Sequence, residues 1–162
     1  SFVGTSNVDA AYEGGKWAIG QAGDGAKAVI IYGQEGDNTS NMRREGYQKA
    51  CDEAGVEVLA ALSGQNTTDG ATKTMEDMLS APPGVIIVGF DGNASAVDLI
   101  LAGEMVKATV AQQPYEMGYQ AVEAAVEVLN GGTVESVINA PVEVVTAENG
   151  QEYLDSLAAM QG

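Results

Sequence analysis

The sequence predicts an α/β fold built on a doubly wound, mostly parallel sheet. Three observations predict it. Short apolar runs rich in branched residues recur along the 162 residues, helical patterns lie between them, and the connecting loops are short. Runs with few polar interruptions suit strands covered on both faces, as in parallel sheets.

Taken in order, Ser1-Phe2-Val3-Gly4 begins abruptly in what reads as a strand, the mark of a processed or excised product. Ala26 to Tyr32 is an apolar run bounded by Gly25 and Gly33. Residues 41–54 place Tyr47, Ala50, Cys51 and Ala54 on one helical face and stop at Gly55. Val56 to Leu62 is the next strand. Residues 68–80 then group Ala71, Met75, Met78 and Leu79 before Pro82-Pro83-Gly84 ends the helix. Val85 to Phe90 is a third clear strand. A helix over 94–103, a weaker strand at Lys107 to Ala111, a helix over 115–130 closed by Gly131-Gly132, and a strand at Val142 to Val145 complete the alternation. One domain of this length buries a sizeable core without disulfide or metal support.

Charge narrows the function. Twenty-three acidic residues against seven basic ones give a net charge of −16, and there is no histidine. So acidic a surface repels phosphate backbones and anionic lipid headgroups, which argues against a nucleic-acid partner. Without histidine there is no Ser-His-Asp or Cys-His catalysis and little zinc chemistry. Cys51 is the lone cysteine and reads as a buried, inert thiol. No run of 18 apolar residues offers a membrane span. Dinucleotide, P-loop and hydrolase-elbow motifs are absent, and no carboxylate pair is placed for acid–base work. The reading is therefore no catalytic residues, no metal and no cofactor.

Ligands in such sheets bind beyond the carboxyl ends of the strands. Those ends carry Gln34-Glu35-Gly36-Asp37-Asn38, Ser63-Gly64-Gln65-Asn66, Asp91-Gly92-Asn93 and Gln112-Gln113, whereas the amino ends are bland. Asn, Asp and Gly also serve as ordinary turn and cap residues, so each loop taken singly has a structural reading. The glutamines fit that reading less well, and the set of four favours a polar ligand site. Asn38-Thr39-Ser40, Asn66-Thr67-Thr68 and Asn93-Ala94-Ser95 match the glycosylation pattern and read better as loop amides followed by capping hydroxyls. Arg43-Arg44 places two of seven cations near the start of a helix, against its dipole. One guanidinium there suits a carboxylate or vicinal hydroxyls; the competing reading is a surface arginine paired with nearby acids.

Val88-Gly89-Phe90-Asp91-Gly92-Asn93, the stretch Ala108 to Gly118 with its Ala-Gln-Gln-Pro-Tyr-Glu-Met-Gly core, and Arg43-Arg44-Glu45-Gly46-Tyr47 resemble the periplasmic sugar-binding proteins of ABC importers. The ligand-sensing cores of LacI-type repressors share the pattern. The resemblance implies a periplasmic-binding-protein type I lobe, one half of a two-lobed clamp joined by three crossovers that closes on a sugar. It implies that residues 1–114 and 132–162 are C-terminal-lobe-like, within a single lobe over 1–162. Residues 115–131 would then be a helix of the absent N-terminal lobe. It also implies that an internal βα unit of roughly thirty residues is lacking after Pro82-Pro83-Gly84. Residue by residue, Arg43 matches the family's ligand-binding arginine, Asp91 its carboxylate and Gln112 its hinge-side amide. Asn66 is a looser match to a polar or aromatic contact.

The functions implied are three. The first is an extracytoplasmic solute-binding protein fragment that takes a monosaccharide or related polyol and works with ABC importer membrane subunits. It would be periplasmic or extracellular, and lipid-anchored in Gram-positive bacteria. The second is the sensing core of a LacI-type regulator. The third is an excised or engineered lobe without ligand binding of its own. The charge and the Gln-Gln-Pro stretch favour the first. Binding by this chain alone is expected to be weak or undetectable. Tyr115, Met117, Tyr119, Val122, Val126 and Leu129 are expected to be exposed, or to cover a contact between two copies.

Overall fold

The computed structural model describes residues 1–78, 86–103 and 105–161. The chain runs β1 (Phe2–Thr5), α1 (Asn7–Ala22), β2 (Lys27–Tyr32), α2 (Asn38–Ala54), β3 (Glu57–Ser63), α3 (Thr68–Met78) and β4 (Ile87–Phe90). It continues α4 (Ala94–Leu101), β5 (Val106–Gln112), α5 (Pro114–Leu129), β6 (Val137–Ala140), β7 (Val142–Thr146) and α6 (Gly150–Gln161). Leu79, Ser80, Pro82-Pro83-Gly84 and Val85, which the sequence assigns to a helix end and a strand start, lie outside the described residues.

Strand pairing is parallel except at one edge. β2 pairs with β3, and β4 with β5, both parallel; β7 lies antiparallel on the other side of β5. β1 and β6 form a separate parallel pair. The core sits on β5, where Ala108, Thr109, Val110 and Ala111 are fully buried. Val97 and Ile100 of α4, Val145 of β7 and Tyr153 of α6 close it on one side. α1 covers the other face of β4 and β5.

Two helices escaped the sequence reading, α1 and α6. The buried face of α1 is Ala10, Ala11, Gly14 and Gly15, so its period is written in small residues rather than in large apolar ones. Those residues let α1 and α2 approach backbone to backbone: a Cβ on Gly46 would strike the Val8 carbonyl and come within 2.9 Å of the Ala11 Cβ. Helix α2 ends at Gly55 as its sequence predicts but starts at Asn38, three residues before the expected 41, so Asn38, Thr39 and Ser40 are helical rather than loop and cap. Asp37 caps it by accepting the Ser40 N–H at 2.6 Å, and Gly55 leaves it in the left-handed conformation at φ 67°. The hydrogen bonds from Ser40 hold the Asp37 carboxyl below its usual range. Cys51 is buried, and burial pushes its thiol up.

Three expectations need revision. The last strand, expected at Val142 to Val145 and found as β7, is preceded by a further one, β6, and across Pro141 the two pair in different sheets. Strand β3 is not covered on both faces: Leu59 and Leu62 are exposed, and among the described residues β3 pairs only with β2. The doubly wound sheet is also interrupted. Among the described residues no ladder joins β2 to β4, and the β2–β3 half meets the β4–β5–β7 half through the α1–α2 contact.

Helix α5 packs on the β1–β6 pair, with Ala124 its buried residue. Most of its other apolar residues face outward, from Val126 at 50% exposure to Leu129 at 85%. Tyr115, Tyr119 and Val122 are exposed with them. Met117 is not; it is half-buried, and its Sδ lies 3.9 Å from the Thr5 hydroxyl.

Candidate functional site

The carboxyl ends of β4 and β5 and the start of α2 converge on one polar cluster. Asp91 follows β4 and Gln112 ends β5, so parallel pairing brings them side by side. Gln112 Nε2 donates to Asp91 Oδ1 at 2.9 Å, and a terminal guanidinium nitrogen of Arg43 lies 3.2 Å from the same oxygen. Asp91 is half exposed at 51%, Arg43 less so at 23%. The arrangement is open enough to meet a ligand and held enough to meet it in one geometry.

The turn that presents Asp91 is strained. Asp91 has φ 82° and Gly92 φ 67°, two successive residues in the left-handed region. A non-glycine residue there costs on the order of 1 kcal/mol or more and persists when its surroundings fix it. Here they do. The Gly92 N–H donates to Thr109 Oγ1 at 3.2 Å, and the Tyr153 hydroxyl donates to the Gly92 carbonyl at 3.0 Å. A Cβ on Gly92 would run into that hydroxyl and into Ala111.

Arg43 is held on three sides. Its Nε donates to Asn7 Oδ1 at 2.9 Å, its guanidinium carbon stacks 3.8 Å from the centre of the Phe90 ring, and Asp91 takes the third side. Arg44 points elsewhere and lies over Tyr32. Asn66 stands apart from the trio, with no hydrogen bond to any of them among the described residues. Gln65 and Asn66 are both left-handed, at φ 57° and 56°, and the Asn66 amide lies against Gly33, just past the end of β2, where a Cβ would strike it.

The structure thus brings Arg43, Asp91 and Gln112 into contact and leaves Asn66 at the same sheet edge. Sequence reading assigned no role to Asn7 or to Phe90. Phe90 had a local signal, an aromatic residue immediately before the strand-end Asp91. Asn7 had none, because its contact with Arg43 spans 36 positions.

The chemistry offered is recognition of hydroxyl groups. Asp91 Oδ1 is engaged twice, so Oδ2 remains to accept. The guanidinium fork has five donors, of which Asn7 takes the Nε–H, while one terminal nitrogen is ion-paired with Asp91. Vicinal hydroxyls that both donate and accept fit such a carboxylate–guanidinium–amide edge. Among the described residues no group of three His, Cys, Asp or Glu side chains stands ready for a metal ion.

Comparison with known proteins follows the same line. A family model described as a periplasmic binding protein domain matches residues 1–86 and 81–133, two pieces that meet at 81–86. The ribose import binding protein of Haemophilus influenzae is 28% identical over 171 aligned positions that take in 90% of this chain and 58% of that protein. About 25 of those positions (171 less 90% of 162) are therefore filled in the relative alone. The ribose import binding protein of Bacillus subtilis is 27% identical, with 90% of this chain and 55% of that protein covered. The chain spans somewhat more than half the length of these relatives. A periplasmic solute-binding protein of an ABC transporter from Actinobacillus succinogenes, solved with bound D-allose, has the same fold. Its TM-score is 0.84 at 22% identity, over 94% of this chain and 64% of that one.

Proposed function

The chain belongs to the periplasmic binding protein domain family, and from that premise we propose that it is the ligand-binding part of an extracytoplasmic solute-binding protein. Its ligand is a monosaccharide or a related polyol, its partners are the membrane subunits of an ABC importer, and it works outside the cytoplasm by hinge closure, without catalysis. The observation that carries the reading is the Arg43–Asp91–Gln112 cluster at the carboxyl edge of β4 and β5.

In this reading Asp91 Oδ2 accepts from one sugar hydroxyl while the free Arg43 donors reach its neighbour. Gln112 keeps its carbonyl for a third contact and fixes Asp91 with its amide. Asn66 supplies a contact from the β3 side of the edge. The relatives' names support a sugar, since several are ribose import binding proteins. A solute-binding protein from Mycobacterium smegmatis solved with glycerol, 25% identical at a TM-score of 0.76, supports the wider polyol class.

NMR titration with D-ribose, D-allose, D-galactose and glycerol tests this, because it detects millimolar binding by an incompletely enclosed site. The expected result is saturable shifts at Asp91, Gln112 and the Arg43 side chain with at least one sugar. Asp91→Asn should weaken that binding about tenfold or more, the worth of a charge-assisted hydrogen bond. Shifts confined to other parts of the surface, or none with any of the four, would overturn the assignment.

A further inference from the structure

We infer that Asn7 is a positioning residue: it sets the plane of the Arg43 guanidinium and ties it to the β1–β6 pair. The inference rests on the reading of Arg43 as a ligand-binding group.

Asn7 is the first residue of α1, two positions beyond the end of β1. Both ends of its amide are used. Oδ1 accepts from Arg43 Nε at 2.9 Å, and Nδ2 donates to the Thr5 carbonyl at 3.3 Å. The two bonds fix the amide's orientation. Turning it over would set an NH2 against the Nε–H and an oxygen against a carbonyl. The acceptor on Arg43 is also neutral, so it orients the guanidinium without competing with Asp91 for its charge.

An arginine on a helix surface is free to rotate about four side-chain torsions. With Nε held by Asn7 and one face held on Phe90, only the terminal nitrogens remain to be placed. They are placed at Asp91, one of them 3.2 Å from its Oδ1. A ligand would therefore meet a donor edge whose ordering cost is already met, which is how preorganisation raises affinity.

The tie reaches further. Thr5 is the last residue of β1 and is paired with Ala140 of β6. Thr5, Asn7 and Arg43 thus form one hydrogen-bonded line from the β1–β6 pair to the site. A change in the direction of β1 and β6 moves Asn7, and with it the guanidinium.

The chain holds two arginines, Arg43 and Arg44, so side-chain Nε–H spectra contain one reporter and one internal control. In the ligand-free protein, Asn7→Ala should speed exchange of the Arg43 Nε proton about tenfold, as expected for one lost hydrogen bond. The Arg44 signal and the melting temperature should hardly move. Asn7→Asp keeps an acceptor and should restore the slow exchange. If Asn7→Ala leaves the Arg43 Nε proton unchanged, or moves Arg44 equally, the inference is overturned. A sugar titration of the same samples keeps the two questions apart. Absence of any sugar response refutes the proposed ligand, while the Nε exchange still decides the role of Asn7. Where a sugar does bind, equal affinity in wild type and Asn7→Ala overturns the positioning role.

Discussion

The Tyr47 hydroxyl is buried one helical turn beyond Arg43 and has no hydrogen-bond partner among the described residues. An orphaned buried hydroxyl costs about 1–3 kcal/mol. Tyr47→Phe removes the hydroxyl and keeps the ring that packs beside Gly14 and Gly15. The variant should therefore melt higher, by roughly 2–4 °C for each kcal/mol recovered in a domain of this size. Burial also pushes the Tyr47 phenol well above its ordinary value near 10. Above pH 10 the unfolded chain ionises this tyrosine while the folded chain does not, so folding loses stability as pH rises. Tyr47→Phe lacks that loss, and its advantage in thermal melts should widen between pH 9 and pH 11. A constant or shrinking advantage would count against the orphan. At this scale the sequence was informative where chemistry sat next to a strand end. Asp91 and Gln112 were legible because a carboxylate and an amide follow apolar runs. Arg43 was legible because a cation near a helix start needs a reason. Asn7 was not, since its partner lies 36 positions away and an asparagine before a helix has an ordinary explanation.

Elements were legible in proportion to the size of their apolar side chains. β2, β3, β4 and β5 carry branched residues and were found within about two positions. α1 carries Ala and Gly on its buried face and was missed, though it forms the contact that joins the two halves of the sheet. Strand β4 has a further property that a linear pattern does not display. The Ile87 N–H donates to Met105 and the Asp91 N–H donates to Val110, so every second amide of β4 faces β5. Val88 and Phe90, out of phase with those, face the side on which no strand is paired. Hydrogen exchange should separate the two sets. Gly89 and Asp91 are expected to be protected, with Val88 and Phe90 exchanging at least about tenfold faster. Equal protection along β4 would mean that its free edge is paired after all.

At the scale of the whole molecule the sheet reads as two halves, and loss of the unit that the resemblance implies is lacking would leave one strand position open between them. Among the described residues β2 is paired only with β3, and β4 only with β5. The family match breaks at 81–86, the same stretch of chain that leads into β4. About 25 alignment positions present in the Haemophilus ribose import binding protein have no counterpart here (171 less 90% of 162). A strand and part of a helix need about that many residues. The α/β alternation survives such a loss, so hydrophobic period alone does not reveal it; the family resemblance implies it, and the two strand edges without a partner among the described residues agree with it. Grafting that relative's segment into this chain at 81–86 should then supply the β2 and β4 edges with a shared neighbour. Because the denaturant m-value scales with the surface that unfolding exposes, a graft that folds should raise m by at least its share of chain length, about 15%. It should also slow exchange at Val88 and Phe90. A Gly/Ser insert of equal length is the control: it lengthens a loop, costs about 1 kcal/mol or less, and leaves m unchanged. If the graft behaves like the Gly/Ser insert, the opening between β2 and β4 is not a strand position.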